Sequence, residues 1–174
     1  MKNILYIVLL VCVTQLQAQK TFKIINLTAN TISVPDLVTS NTTTSGFYPQ
    51  YHSKRSGVFT IAPFGTFTMQ NTTTPVNLFR FPYVCFPLSS PTLGLWERNN
   101  SSTALPINIS AAAAGVASGN TQAFHWIQIN NGVSSKTIGI LGSGYPQTLT
   151  SNGWTASYMI SGIAPVQTYT ITVQ

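Results

Sequence analysis

The sequence predicts an all-β protein: an antiparallel β-sandwich of about ten strands, with a β-barrel as the alternative. Three observations carry this reading. Short apolar segments with period-two alternation recur roughly every 8–12 residues. Turn signals such as Asn130-Asn131-Gly132 and Asn152-Gly153 separate them. The polar part of the chain is Thr, Ser, Asn and Gln, where a helical domain would use Glu, Lys and Ala.

Residues 1–19 read as a secretory signal peptide and residues 20–174 as a single domain. Lys2 gives the basic start, Ile4–Val13 the apolar segment, and Ala18 before Gln19 a small-residue cleavage site. The apolar run of about ten residues is too short to span a bilayer. Cys12 raises lipidation as an alternative, which Leu9-Leu10-Val11 fit poorly because lipoprotein cleavage wants a small residue there. No later stretch reads as a transmembrane helix.

Thr21–Ile25 alternates as a first strand, Asn26–Asn30 is a turn, and Thr31–Val34 is a second strand, so the pair reads as a hairpin. The segment FKIINLTANTISV is similar to the first hairpin of thaumatin-like and some cytolysin-like β-sandwiches, although the thaumatin cysteine framework is absent. Pro35 to Gly57 has no sustained period and reads as one long loop or two. Val58–Ala62 is a strand, Pro63-Phe64-Gly65 a turn, and Thr66–Met69 the return strand with Phe67 and Met69 inward.

Val76–Leu88, VNLFRFPYVCFPL, is the most apolar run after the leader. It reads as a core strand, a bend at Pro82, and a second strand closed by Pro87. Cys85 within it is the one cysteine left after processing, which excludes an internal disulfide and favours a buried thiol. Leu93–Trp96 and Leu105–Ile109 are short strands around the polar loop Asn99–Thr103. Ala111–Ala114 reads as a loop or single helical turn, because Gly115 and Gly119 undercut a helix.

Gln122–Ile129 is a strand apolar on both faces, hence central. Strict alternation puts His125, Ile127 and Ile129 on one face and Phe124, Trp126 and Gln128 on the other. Lys136–Leu141 follows, then the loop 142–146. Thr148–Thr150 pairs with Trp154–Ile160 across Asn152-Gly153. Thr168–Val173 ends the chain as a strand able to add to a neighbour's sheet.

Charge limits the functions available. Charged residues are 6% of the chain, against roughly 25% in ordinary soluble domains. After the leader, seven scattered Lys and Arg against Asp36 and Glu97 leave a net of +5. Only Lys54-Arg55 are adjacent, so the clustered basic face that binds nucleic acid is missing.

Glycoside hydrolysis would need both Asp36 and Glu97 in one cleft. Asp36 reads instead as a turn cap and Glu97 as a local partner of Arg98. His52 and His125 are far apart, with no metal-ligand spacing. No nucleophile elbow, phosphate loop or dinucleotide fingerprint occurs. The expectation is a protein that is not an enzyme and uses no metal or cofactor.

Binding fits better. Tyr48 and Tyr51, with His52, Lys54 and Arg55, share the loop after Pro35. Trp96 and Trp154 sit beside polar loops, as rings that stack on sugars do. For both groups the competing reading is that the rings fill the core. Six Asn-x-Ser/Thr sites occur, at Asn26, Asn41, Asn71, Asn99, Asn100 and Asn108.

The leading expectation is an exported surface or envelope interaction subunit, found in the periplasm, on the cell surface or outside the cell, with a protein partner. The alternatives are a carbohydrate-binding module using Tyr48, Tyr51, Trp96 and Trp154, and a membrane-interacting protein.

Overall fold

The computed structural model describes residues 20–41, 43–70, 93–118, 121–140, 142–163 and 166–174. The leader with Cys12, and the apolar stretch Val76–Leu88 with Cys85, lie outside the described residues.

Twelve strands and one short helix are described: β1 (Lys20–Asn26), β2 (Ile32–Asn41), β3 (Gln50–His52), β4 (Phe59–Ile61), β5 (Thr66–Gln70), β6 (Leu95–Asn99), β7 (Ile107–Ser110), α1 (Ala111–Ser118), β8 (Gln122–Asn130), β9 (Ser135–Gly139), β10 (Thr148–Ser151), β11 (Trp154–Ile163) and β12 (Val166–Val173). They form two stacked sheets. One runs β10-β11-β12-β1-β5; the other runs β7-β6-β3-β2-β8-β9, with β4 beside β2 in line with β3. Neither closes into a barrel, so the fold is the predicted β-sandwich.

Alternation along each strand builds the core. Phe22 and Ile24 of β1 lie opposite Met69 and Phe67 of β5 on one side, and opposite Tyr169 and Ile171 of β12 on the other. Ile32, Val34, Leu37, Phe124, Ile127 and Ile129 face them from the second sheet. Phe22 meets Phe124 at 4.1 Å between ring centroids, and Phe59 meets Phe67 at 4.8 Å. Each pair joins the two sheets. Burying one such ring contributes about 2–3 kcal/mol.

The first two strands do not form a hairpin, and the likeness to a first hairpin ends there. β1 belongs to the five-stranded sheet and β2 to the seven-stranded one. β4 and β5 are divided in the same way, so Thr66–Met69 is not a return strand for β4. The two crossings touch, and buried Asn26 joins them. Its Nδ2 donates to the carbonyls of Asn30 at 2.7 Å, Ile61 at 3.2 Å and Ala62 at 2.9 Å. Its Oδ1 accepts from Thr28 N at 3.0 Å and Thr28 Oγ1 at 2.7 Å. A hairpin would leave these crossing carbonyls without the amide that satisfies them.

The expected loop after Pro35 is shorter than its composition suggests. β2 continues through Pro35 to Asn41, and β3 lies within the remainder. The ladder to β8 shifts register between Ser33 and Asp36, so Pro35 sits in a bulge where its missing N–H is tolerated. A second shift pairs Val38 with Trp126 and Thr39 with Phe124, leaving His125 as the extra residue. The strict alternation expected for Gln122–Ile129 therefore breaks. Phe124, Ile127 and Ile129 all enter the core, while Trp126 turns to the outer face.

Ala111–Ser118 is a two-turn helix, longer than the single turn expected. Ala111 and Ala114 are buried against the core, and the packing outweighs the cost of Gly115. The final strand is not an edge. β12 lies between β11 and β1, and pairs in parallel with β1 from Lys20–Gln167 to Asn26–Val173.

Candidate functional site

The chemistry-bearing side chains converge on the outer face of the seven-stranded sheet. Register sets them in one row. Trp126 of β8 lies opposite Val38 of β2, Val38 opposite His52 of β3, and His52 opposite Glu97 of β6. Residues directly opposite on neighbouring strands share a face. Asp36, two residues before Val38, joins the same face.

His52 Nδ1 lies 2.7 Å from Asp36 Oδ2. In the tautomer that donates Nδ1–H to the Asp36 carboxylate, the ring lone pair lies on Nε2. Nε2 is buried without a hydrogen-bond partner among the described residues. The ring meets Trp126 edge-on, at 5.4 Å between centroids. Asp36 is thus not a turn cap; β2 extends past it and carries it to the histidine.

A 3-10 turn at Ser53–Ser56 folds the next residues back over this row. Leu37 N donates to Ser53 Oγ at 2.8 Å, and Lys54 N donates to Asp36 Oδ1 at 3.3 Å. Lys54 Nζ then reaches Glu97 Oε1 at 2.6 Å, and Arg55 Nε reaches Glu97 Oε2 at 3.1 Å. The carboxylate is buried and both cations are about half exposed. Burial alone would raise the Glu97 pKa; hydrogen bonds and charge from Lys54, then Arg55, outweigh it and lower it. Arg98 is not the partner of Glu97. Adjacent strand residues point to opposite faces, and its guanidinium carbon lies 6.0 Å from the Tyr51 ring centroid.

Beside this row lies His125, buried at the bulge. Neither of its ring nitrogens has a hydrogen-bond partner among the described residues. Burial pushes its pKa down to about 4. The Phe47 ring covers it at 4.7 Å. Phe47 itself sits at φ 61°, in the left-handed region that bulky side chains avoid.

The expected ligand-binding residues mostly lie inside the sandwich. Tyr51 is fully buried, with its hydroxyl 2.7 Å from Ser118 Oγ. Trp96 is fully buried and donates Nε1–H to Leu93 O at 2.9 Å. Trp154 is buried and donates to Ser134 Oγ at 3.4 Å. Neither indole has a free face for a sugar, so the expected platform of exposed rings does not form at these positions. Tyr48, half-buried, follows Phe47 in a segment folded back onto the sheet.

What the sequence reading missed is Trp126 as a surface ring, because a strand apolar on both faces reads as covered on both, and alternation alone does not say which face stays open. Of the six Asn-x-Ser/Thr sites, Asn26 is buried in its crossing and Asn71 lies outside the described residues. Asn100 and Asn108 are exposed. No group of three or more His, Cys, Asp or Glu able to hold a metal occurs among the described residues. Nor is any helix among them long and apolar enough to cross a membrane. Comparison with protein families, with curated proteins and with solved structures found no match.

Proposed function

We propose that the chain is an exported, non-enzymatic β-sandwich that serves as a surface or envelope interaction subunit. The observation that carries this reading is the ribbon formed by the far ends of β11 and β12. β10 pairs with β11 only from Trp154 to Ser157, while β11 and β12 stay paired out to Ile163–Val166. Residues 159–163 of β11 therefore have an edge that no described strand occupies. That ribbon displays Met159 at 59% exposure, Ile160 at 38% and Ile163 at 87%. Apolar side chains beside unpaired backbone groups suit the addition of a partner's strand.

Two further features support the reading. Residues 1–19 have the order of basic start, apolar segment and small-residue junction used for export. The Asp36–His52 pair, which resembles the base half of a hydrolytic triad, has no hydroxyl or thiol hydrogen-bonded to Nε2 among the described residues.

The test is a cross-linking pull-down from the native envelope, with wild-type protein and a Met159→Lys/Ile163→Lys double variant. The expected result is a specific partner, or a second copy, captured by the wild type and lost from the variant. Both proteins should share one near-UV spectrum, and their stabilities should agree within about 0.5 kcal/mol, as for surface changes. A monomer that captures nothing, or a variant that captures the same partner equally well, would refute the proposal.

A further inference from the structure

A second surface, on another sheet from the ribbon, has the make-up of a small-ligand site. Trp126 is half-buried on the outer face of the seven-stranded sheet, and Tyr145 stands against it with centroids 5.2 Å apart and planes at 53°. Tyr145 is 41% exposed. Gly139, opposite Trp126 on β9, lets the loop pack closely on the sheet: a Cβ there would lie 2.9 Å from His125 O and 3.0 Å from Ser143 Cβ. The loop carrying Tyr145 is held by backbone bonds from Gly139 N to Pro146 O at 3.0 Å and from Ser143 N to Ile140 O at 3.0 Å. The Tyr145 amide also donates to Ser143 Oγ at 3.2 Å. These bonds hold the loop backbone that carries Tyr145 beside Trp126.

Polar groups border the rings. His52 is more than nine-tenths buried and touches Trp126, yet its Nε2 lacks a hydrogen-bond partner. A buried polar atom without a partner calls for one, and no described side chain supplies it. Lys54 bonds to Asp36 through its amide and to Glu97 through its ammonium, so its side chain spans His52. That side chain is half exposed, and a group reaching Nε2 has to displace it. With His52 neutral, Lys54 and Arg55 balance Asp36 and Glu97, so the local charge is zero.

We propose that this face binds a neutral saccharide: a sugar ring stacks on Trp126 and Tyr145, and one of its hydroxyls donates to His52 Nε2. Apolar C–H faces of a pyranose match aromatic rings, and a hydroxyl donor matches the lone pair that the Asp36 bond leaves on Nε2. Balanced charge disfavours anionic glycans. The proposal is independent of the ribbon, and either can fail alone.

The experiment is a calorimetric and tryptophan-fluorescence titration of the purified full domain with cellopentaose, maltopentaose, chitopentaose and mannopentaose. Heparin serves as the anionic probe. Trp96 and Trp154 are buried, so a saccharide-induced emission change reports Trp126. The expected result is binding of at least one neutral oligosaccharide with Kd of about 1 mM or tighter. Trp126→Ala and Tyr145→Ala should each weaken it at least about tenfold. Val133→Ser, at an exposed turn residue, should leave it unchanged. Should Trp126→Ala fail to fold, Tyr145→Ala on the surface loop and His52→Gln, which keeps hydrogen-bonding capacity, carry the test. Retention of more binding by His52→Gln than by His52→Leu is expected. No neutral probe bound at about 10 mM, binding insensitive to Tyr145→Ala, or heparin alone bound through Lys54 and Arg55 would each overturn the proposal.

Discussion

Acid should destabilise this protein through His125, whose two ring nitrogens both lack a hydrogen-bond partner among the described residues. The ring sits at the β8 bulge, 2% exposed, under Phe47, with both nitrogens unpartnered. Protonation would place a cation where nothing accepts a hydrogen bond from it. Burial takes the pKa from an ordinary 6.5 to about 4. The unfolded chain therefore binds the proton first as pH falls. Stability is at its full value above about 6.5 and declines through pH 4. A difference of roughly 2.5 pH units, at about 1.36 kcal/mol each, amounts to about 3 kcal/mol.

The assay is urea unfolding at pH 7, 6, 5 and 4 on the wild type and on His125→Leu, a variant of similar volume that cannot titrate. The two proteins differ in no other ionisable group, so the difference in slope belongs to His125. The wild type should lose about 3 kcal/mol more than His125→Leu between pH 7 and pH 4. At pH 7 the leucine variant should be as stable or more so, having no unpaired ring nitrogens to bury. Equal losses in the two proteins would show that the ring is solvated or paired, and the reasoning would fail.

Asn26→Ala should cost about 2–4 kcal/mol in urea unfolding, because three crossing carbonyls lose one donor. Trp96→Ala and Trp154→Ala should each cost about 3–5 kcal/mol while leaving any glycan affinity per folded molecule unchanged. Glu97→Gln should cost about 1–2 kcal/mol at neutral pH, discounted for the half-exposed cations, and the loss should shrink in high salt. The lowered Glu97 pKa has its own sign: its stabilisation is present above the ordinary carboxylate range and is lost as pH falls through the folded value. A chain ending before β12 should show no cooperative unfolding and no near-UV signal, since β1 and β11 both pair with that strand.

The fold class was legible because alternation is a local property. Trp154–Ile160 and Thr168–Val173 carry it in the sequence, and the turn residues around them are short-range signals as well. The pairings were not legible. Whether β1 meets β2 or crosses to the other sheet depends on Asn26 reaching carbonyls 35 and 36 residues away. Pro35 read as a break because a lone proline in a strand pattern does so, and only the neighbouring register shift makes room for it. Helix α1 was shortened because Gly115 lowers propensity, whereas burial of Ala111 and Ala114 is a tertiary effect.

The outer-face site was the least legible part. Asp36, His52, Glu97 and Trp126 come from four strands, and each had a plausible local role where it stood. Glu97 beside Arg98 suggested an ion pair that strand geometry forbids. Trp126 lies on the face opposite Ile127 and Ile129, and the bulge at His125 separates it from Phe124, which enters the core.

The parallel seam between β1 and β12 has a consequence for how the molecule comes into being. The opening segment leaves any ribosome or narrow pore long before the closing one exists, yet each is the other's neighbour. Until the tail arrives, Phe22 and Ile24 have half a sheet to rest in, and the wait across so much intervening chain is slow. A polypeptide wired in this way takes its final shape only once both strands are free to meet.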